Sequence, residues 1–363
     1  MGLSQALSAA LSGVNATQKA LSVVSGNVAN ANSPGYVDES VNQVAVAAVG
    51  QPGVSVDTTG INRNLNELLL SQLRTETSGG SYADTTANLY QQLQQIYGTP
   101  GSSSSFSGVY SSFTASLQAL STSPSSYSAQ SQVIGAAQAL AQNLNAMTGT
   151  IQQLRTQAEQ GIAADVTTAN TAIAQIAQIN QQLGSAPQDS TTATLEDQRD
   201  QDITQLSQLM NVSVVQGANN QISVYTANGQ QLVSGVNAST LSFNNVGAMT
   251  ATTLWSANPS QDQAGTITLT SPAGTQTDLV AEGAITSGEI GAYLQMRDTI
   301  LPQAQTQLDE LANQMSQALS NQTTSGTAVT SGAQSGYMST SAACCPGTAC
   351  RSPIATRATC STR

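Results

Sequence analysis

The chain has 363 residues, of which 8% are charged and 4% aromatic, with a formal net charge of -11 and no histidine. This length allows two or more domains, but the charged share is far below the roughly 25% of an ordinary globular enzyme. The acidic balance argues against nucleic acid and anionic membranes as partners, and the absence of histidine removes the commonest general base and metal ligand.

The beginning of the chain predicts neither a secretory signal nor a membrane helix. The first ten residues contain no Lys or Arg, and polar residues interrupt their apolar run, whereas a cleavable signal needs a basic start and an unbroken apolar core. No stretch of about 18 apolar residues occurs. We therefore expect no membrane insertion and, if the protein is secreted, export by a route without a cleavable signal peptide.

The first predicted element is a coiled-coil helix. Its apolar and small residues recur in alternating steps of four and three, the spacing of a heptad seam. The residues of this seam are Leu3, Leu7, Ala10, Val14, Thr17, Leu21, Val24 and Val28. Turn-forming residues at 30–35 predict the end of the helix, and alternation over 41–56 predicts extended chain, as a hairpin or as two short strands. We take residues 1–60 as one N-terminal segment.

A helical bundle domain is predicted over residues 61–210. Leucine stripes indicate a helix from Asn62 to about Tyr97, and Gly98–Gly108 interrupts it. Heptad steps return from Val133 to Ala158, continue to Leu183, and resume from Leu195 to Met210. Heptad packing is thus the recurrent theme of this domain.

An inserted β domain is predicted over residues 211–284, because short alternating runs are separated by Gly and Asn turns there. The predicted strands lie at 212–214, 222–225, 232–233, 241–243, 254–255, 267–269 and 279–280. Helical spacing then returns over 285–325, with Pro302 as a potential kink. The expected fold class is mainly α with an inserted all-β domain: an elongated antiparallel helical bundle with heptad-patterned helices plus a small β domain.

The last segment, residues 326–363, differs in composition from the rest. It holds all four cysteines, at 344, 345, 350 and 360, and three of the nine basic residues. There is no CxxC pair, so no metal site is predicted. We expect a disordered tail that is not native coding sequence, the product of a truncation or frameshift of the gene.

The acidic residues near the end of the bundle domain are the only group that could carry out catalysis. They are Glu196, Asp197, Asp200 and Asp202, beside Arg199. Paired carboxylates can hold a metal or transfer protons, but at helical spacing they equally form ordinary surface charge offset by the arginine. We favour surface charge. No phosphate loop, nucleophile elbow or metalloprotease motif occurs, so we predict no catalytic residue, metal or cofactor.

The eleven residues from Gly26 to Tyr36, GNVANANSPGY, follow the heptad helix at a fixed distance from the first residue. This element closely resembles the N-terminal signature of the axial proteins of the bacterial flagellum, the rod, hook and hook-associated proteins. Further on, Leu195–Asp200, Tyr225–Val233 and Gly288–Gly291 resemble the hook-associated protein 1 family. The likeness covers residues 1 to about 322. After Tyr36 the sequence VDES replaces the Ser-Arg-Gln-like run of the family.

The resemblance implies a structural axial component that joins hook and filament and is not an enzyme. It implies export through the flagellar type III apparatus, extracellular location at the hook–filament junction, and polymerisation into a helical ring by coiled-coil packing. The implied partners are further copies of the chain, the hook protein, a second hook-associated or filament protein, and an export chaperone. The expected packing residues are Leu3, Leu7, Leu11, Val14, Leu21, Val24 and Val28. The expected turn residues are Asn27, Asn30, Asn32, Pro34, Gly35 and Tyr36.

Other functions remain open at this point. A different rod or hook protein would share the N-terminal signature. A secreted coiled-coil adhesin would share the composition and the heptads, but not the Asn-Ala-Asn-Ser-Pro-Gly-Tyr element. A carboxylate-based hydrolase, such as a muramidase at the flagellar tip, needs a carboxyl of raised pKa in an aromatic cleft, for which the sequence gives no sign.

Overall fold

The computed structural model of the protein describes residues 3–33, 35–47, 54–185, 190–258, 260–320, 327–331 and 334–338. The helices are α1 (Leu3–Asn30), α2 (Glu67–Tyr97), α3 (Phe106–Thr122), α4 (Tyr127–Leu183), α5 (Ser190–Leu209), α6 (Gly288–Gln295) and α7 (Leu301–Ser320), with a π-helical segment at Met296–Ile300. The strands are β1 (Glu39–Ala47), β2 (Val54–Arg63), β3 (Val212–Gln216), β4 (Ile222–Thr226), β5 (Gln231–Ser234), β6 (Asn237–Ala238), β7 (Thr240–Phe243), β8 (Ile267–Thr270), β9 (Gln276–Asp278), β10 (Thr327–Ser331) and β11 (Gln334–Met338). None of the described helices is long and apolar enough to cross a membrane.

Two compact units make up the chain, Met1–Gln303 and Ala304–Arg363. In the second unit, β10 pairs antiparallel with β11, from Thr327 opposite Met338 to Ser331 opposite Gln334. This hairpin differs from the disorder predicted from residue 326 onward, and its Thr and Val residues suit a strand. The four cysteines lie outside the described residues, so the structure does not test the frameshift hypothesis.

Helices α2, α3 and α4 each start at a polar N-cap residue. The side chains of Asn66, Ser105 and Ser126 accept hydrogen bonds from the backbone N–H groups three residues further on, which would otherwise have no partner. The sequence placed the start of α2 at Asn62, but residues up to Arg63 pair within the hairpin instead. The sequence analysis also missed α3, although heptad steps run through it. The residues at these steps are Phe106, Tyr110, Phe113, Leu117 and Leu120.

The seven strands β3–β9 form two antiparallel sheets, ordered β3-β4-β5-β6 and β7-β8-β9. Predicted strands at 254–255 and 279–280 are wrong: the first pair of residues is irregular, and the second lies in a turn that follows β9. Leu279 is nevertheless fully buried, because the turn directs it into the core. Leu254 is instead 49% exposed, so apolarity alone predicted neither a strand nor burial at that position.

The two sheets share a single apolar core with the helices. One cluster of buried side chains joins Ile173 and Ile176 of α4, Leu206 of α5, Val224 of β4 and Leu269 of β8. The β region predicted at 211–284 therefore packs its inner faces on the helices and has no separate core.

Two asparagines of α4 attach the sheets to that helix. The Asn170 side chain donates to the Leu241 carbonyl and accepts from the Leu241 N–H, each at 2.8 Å. Asn180 makes the same paired contact with Ile222, donating at 2.9 Å and accepting at 3.2 Å. Together with Arg155, which binds the Thr250 carbonyl, these contacts extend over about 37 Å of helix at 1.5 Å per residue. The sheets thus lie along the C-terminal half of α4.

The observed fold class is mainly α with a small β region, as the sequence predicted. Helix α6 returns to the bundle in the first unit, where the Tyr293 ring packs over Gly161 of α4 and Gly291 faces Tyr82 of α2. Gly288 begins this return with φ +77° directly against the backbone of Leu209, where no Cβ could be placed. The helices that hold the N-terminal segment are thereby fixed to one another.

Candidate assembly site and its relatives

Helix α1 carries two different faces, which lie roughly half a turn apart at 100° per residue. The first is a face of small residues that packs on the β1–β2 hairpin. Ala16 and Val23 are buried there. The hairpin also bonds to this face, since Gln43 Nε2 donates to the Ala16 carbonyl at 3.3 Å and the Val56 N–H donates to the Ser12 hydroxyl at 3.1 Å.

The second face of α1 carries the large apolar residues and is exposed. The exposed fraction runs from 56% at Val24 to 89% at Leu3. We call these residues the apolar face; they are the predicted packing residues Leu3, Leu7, Leu11, Val14, Leu21, Val24 and Val28. The chain itself thus packs on the small face and leaves the apolar face to solvent, which is unusual for so many large side chains on one helix.

The turn after α1 is held by Asn27. Its Nδ2 donates to the Glu39 carbonyl at 2.8 Å, while its Oδ1 accepts from the Tyr36 hydroxyl at 2.7 Å and from the Glu39 N–H at 3.0 Å. Asn30 closes the helix by donating to the Gly26 carbonyl at 3.1 Å. Two asparagines thereby bond four groups, the Gly26 carbonyl, the Tyr36 hydroxyl and the N–H and carbonyl of Glu39, which explains the presence of Asn at positions 27 and 30.

The remaining signature residues have different surroundings. Asn32 is exposed, and Pro34 lies outside the described residues. Gly35 has φ +80°, and a Cβ built on it would lie 2.6 Å from Gln201 Nε2 of α5. Glycine is therefore required both by the backbone conformation and by the close approach of α5. The turn is packed against the helical bundle and does not project freely.

An ionic cluster attaches the hairpin to α5. Arg63, the last residue of β2, lies 2.6 Å from Asp197 Oδ1, 2.7 Å from Asp200 Oδ2 and 3.5 Å from Glu196 Oε2. Arg74 of α2 reaches the other Asp200 oxygen at 2.8 Å. Asp197 also accepts from the Val37 N–H at 3.3 Å. Helices α2 and α5 and the N-terminal hairpin thus meet around three carboxylates.

Burial shifts the pKa values in this cluster. It raises the pKa of Asp197, an effect that Arg63 and the Val37 N–H partly offset. Burial also raises the pKa of Glu39, and the nearby Asp197 adds to it. The pKa of Arg74 is lowered by burial, because Asp200 offsets only part of the cost. Burial also lowers the pKa of Arg63, but the surrounding carboxylates outweigh it and the net pKa is raised, so desolvation prevails at Asp197 and Arg74 and charge prevails at Arg63.

The interpretation of these acidic residues as ordinary surface charge is wrong. Asp197, Arg199 and Asp202 are buried, and the partners of the carboxylates are Arg63 and Arg74. Arg199 points away from them and donates to Asn180 Oδ1 at 3.1 Å and to the Asn220 carbonyl. The sequence could not show this, because the two basic partners lie more than a hundred residues earlier in the chain.

A second ionic cluster joins α4 to the π-helical segment. Glu159 and Arg297 are both fully buried, with Arg297 Nη1 2.5 Å from Glu159 Oε2. Arg297 also pairs with Asp298 at 2.6 Å and donates to the Gly265 carbonyl at 2.8 Å. Arg155 donates to the carbonyls of Arg297, Thr250 and Thr253. The sequence analysis did not predict this cluster. The position of Arg297 among the heptad steps of an apolar helix was a sign that its side chain is buried.

Comparison with known proteins identifies the relatives of the chain. The family described as "Flagellar hook-associated protein FlgK helical domain" matches residues 90–337, which extends past the predicted family boundary at 326. The family "Flagella basal body rod protein" matches residues 7–36, the apolar face of α1 and the signature turn. Flagellar hook-associated protein 1 of Salmonella typhimurium is 30% identical over 340 residues, covering 89% of this chain and 57% of that protein.

Two further relatives agree. Flagellar hook-associated protein 1 of Escherichia coli K12 is 28% identical over 344 residues, covering 89% of this chain and 58% of its own length. The structure of the flagellar hook junction protein FlgK from Burkholderia pseudomallei matches with a TM-score of 0.59 and 29% identity, over 69% of this chain and 43% of that one. The chain thus spans little more than half the length of the curated relatives. It belongs to the family of the flagellar hook-associated protein FlgK.

Proposed function

We propose that the chain is a structural axial subunit of the bacterial flagellum that joins hook and filament and polymerises through α1. The observation that carries this proposal is the apolar face of α1, with seven Leu and Val side chains at least 56% exposed. Burying each such side chain is worth about 1.5–3 kcal/mol, so neighbouring helices that cover the face would gain considerable stability. The heptad spacing suits coiled-coil partners.

The attachment of α1 to the bundle supports an assembly role. The small face, the Asn27 turn and the Arg63 cluster fix the hairpin and α1 to α5 by polar contacts. A neighbour that binds the apolar face is thereby connected to the rest of the subunit. Because such a contact joins different faces of successive copies, it extends into a helical ring. This is the geometry that a junction between hook and filament needs.

We further infer that the chain is not an enzyme. The carboxylates at Glu196, Asp197 and Asp200 are engaged by Arg63 and Arg74. Within the described ranges, no group of three or more Cys, Asp or Glu residues is placed to hold a metal ion. Ion pairing, and not proton transfer, accounts for the geometry of the acidic group.

The remaining partners follow from the same proposal. We expect contacts with the hook protein on one side, with a second hook-associated or filament protein on the other, and transient binding of an export chaperone. Unfolded export through the type III apparatus suits a chain without cysteine before residue 344. The expected location is extracellular, at the hook–filament junction.

Complementation tests this function. A strain that lacks its own FlgK is given the wild-type chain, the variant Leu21→Asn/Val24→Asn in the apolar face, or the control Lys19→Asn on an exposed part of the same helix. We expect filaments on hooks with the wild type and the control. The double variant should be exported but leave hooks without filaments. Equal filament numbers with the wild type, the double variant and the control would refute assembly through this face.

A different rod or hook protein remains the second candidate, because the rod family matches residues 7–36. It predicts that the chain restores hook growth in strains lacking rod or hook subunits and does not restore the junction. A secreted adhesin predicts protein on cells without flagella. Strains that lack FlgK, a rod subunit or a hook subunit therefore distinguish a junction subunit, another rod or hook protein, and an adhesin.

A further inference from the structure

A stretch of 70 residues, 85–154, contains no charged side chain. The chain has 9 basic and 20 acidic residues, 8% of its positions, and all of them lie outside this stretch, where 8% would amount to about six. The stretch forms the C-terminal part of α2, the whole of α3 and the N-terminal half of α4. We call it the uncharged lobe. Depletion of charged residues is a mark of the buried core of protein interfaces.

The rest of the chain covers the lobe only thinly. Helix α3 packs on α4 and buries only one of its own 17 residues, Phe113. Before Met147, α4 buries only Ala129 and Leu140, whereas sixteen of its residues from Met147 to Leu183 are buried. Because the stability of a helix comes mainly from the packing of one face, α3 and the first 20 residues of α4 form an incomplete bundle.

Large side chains of the lobe are exposed instead. Tyr90 and Tyr97 of α2 are 46% and 40% exposed, and Tyr127 and Ile134 of α4 are 84% and 60% exposed. The members of each pair are seven residues apart and therefore lie on one face of their helix. Tyr110 of α3 is 43% exposed, and the tyrosines of the described residues outside the lobe are all less exposed than the four of the lobe. Tyrosine is enriched where proteins bind one another, so these faces have the composition of an interaction surface.

The lobe is large enough for a specific contact. At 1.5 Å per residue the first 20 residues of α4 extend over about 30 Å, and with α3 beside them the face is about 20 Å wide. This area of roughly 600 Å², enlarged by the end of α2, is close to the roughly 800 Å² per partner that specific interfaces bury.

We propose that the uncharged lobe packs against the uncharged lobe of a second copy of this chain. The chain has a net charge of -11, and Lys19 on α1 is the one exposed cation of the described residues, so most contacts between two copies would bring carboxylates together. Contact between two lobes places no charge in the interface, and charges elsewhere are screened beyond about 8 Å at physiological salt. A basic partner would instead bind the acidic remainder of the surface. The contact adds to the proposed assembly through α1 and does not depend on it.

Sedimentation velocity of the full chain tests this contact. The apolar face of α1 is first disabled with Leu21→Asn/Val24→Asn, so that association through α1 does not contribute. We expect the mean mass of this variant to rise with concentration between about 1 and 300 µM, the range in which a modest interface forms. A mass that stays at that of one chain throughout would overturn the proposal.

Charge placed in the lobe should weaken the association. Adding Tyr127→Glu/Ile134→Glu should raise the dissociation constant at least about tenfold, because a few large side chains contribute most of the affinity of an interface. The control, Leu68→Glu/Leu69→Glu, changes side chains of similar exposure, 80% and 63%, outside the lobe and should leave the constant unchanged. Both pairs are exposed, so circular dichroism should show the same helix content for all variants. Equal weakening by the two pairs would overturn the proposal.

A photo-crosslinker identifies what contacts the lobe. p-Benzoylphenylalanine replaces Tyr127, and ¹⁵N-labelled and unlabelled chains are mixed so that mass spectrometry distinguishes links between copies from links within one copy. We expect links between copies to residues 85–154, and links between copies to other segments alone would overturn the proposal.

The outcome is separate from that of complementation, because α1 is disabled in all these samples. Filaments restored by the wild type, together with no association through the lobe, would support the proposed function and overturn this inference. Association through the lobe without restored filaments would support this inference and refute the proposed function.

Discussion

The fully buried pair between Arg297 and Glu159 makes a strong prediction about stability. Replacing Arg297 with methionine keeps most of the side-chain volume but leaves Glu159, fully buried, without its cation. Removing one partner of such a pair costs about 3–5 kcal/mol, because the remaining charge stays desolvated. Asp298 adds to this cost, since burial already raises its pKa and Arg297 opposes that rise. Total stabilities are about 5–15 kcal/mol, so the loss is large.

Urea unfolding at pH 7, followed by circular dichroism, measures this effect. We expect the midpoint of Arg297→Met to fall by at least about 1 M, from slopes of about 1–3 kcal/mol per molar urea. Lys19→Met, at the exposed cation of α1, serves as the control and should leave the midpoint unchanged. The double variant Glu159→Gln/Arg297→Met should be more stable than Arg297→Met alone, by about 0.5–3 kcal/mol. A loss below about 1 kcal/mol for Arg297→Met would refute the assignment of a compensated buried charge.

Three further variants test other contacts. Asn27→Ala removes the hydrogen bonds to Glu39 and Tyr36, so hydrogen exchange of β1–β2 amides should accelerate while α4 amides keep their protection. Asn180→Ala leaves the N–H and carbonyl of Ile222 without their partner, and should lower the free energy of unfolding by about 3 kcal/mol in urea titrations. Burial and Glu289 raise the pKa of Asp165 from 3.8 to about 7, so this group costs stability increasingly as pH rises from about 4 through 7. Asp165→Asn should therefore be more stable than the wild type at pH 8, with the gain vanishing near pH 4; an equal difference at both pH values would contradict this.

The sequence was sufficient for features with a local pattern. Heptad spacing predicted α1 and the bulk of α4, and the Gly and Asn turns predicted the β region between two helical segments. The Asn-rich signature was understood only as a turn, although Asn27 acts through residues up to Glu39. Alternation also located β1 and β2, because one face of each strand packs on α1.

What the sequence could not give are contacts between distant segments. The pairs Arg63–Asp200 and Arg297–Glu159 join residues more than a hundred positions apart, and an arginine shows no local sign of its partner. Which face of α1 the chain covers was equally undetermined. Both faces have heptad spacing, and only the hairpin decides that the small one, with Ala16 and Val23, is buried. The acidic residues of α5 were wrongly predicted to be surface charge. Helical spacing shows which residues are neighbours on one helix, but it does not show whether other segments bury them.

Immunogold electron microscopy of the complemented strain tests the central claim most directly, by showing where the chain resides. An epitope-tagged chain should label a single band between hook and filament, and the Leu21→Asn/Val24→Asn variant should give no band while the protein accumulates in the medium. Label along the rod or hook, or on the surface of cells without flagella, would contradict a junction subunit assembled through the apolar face of α1.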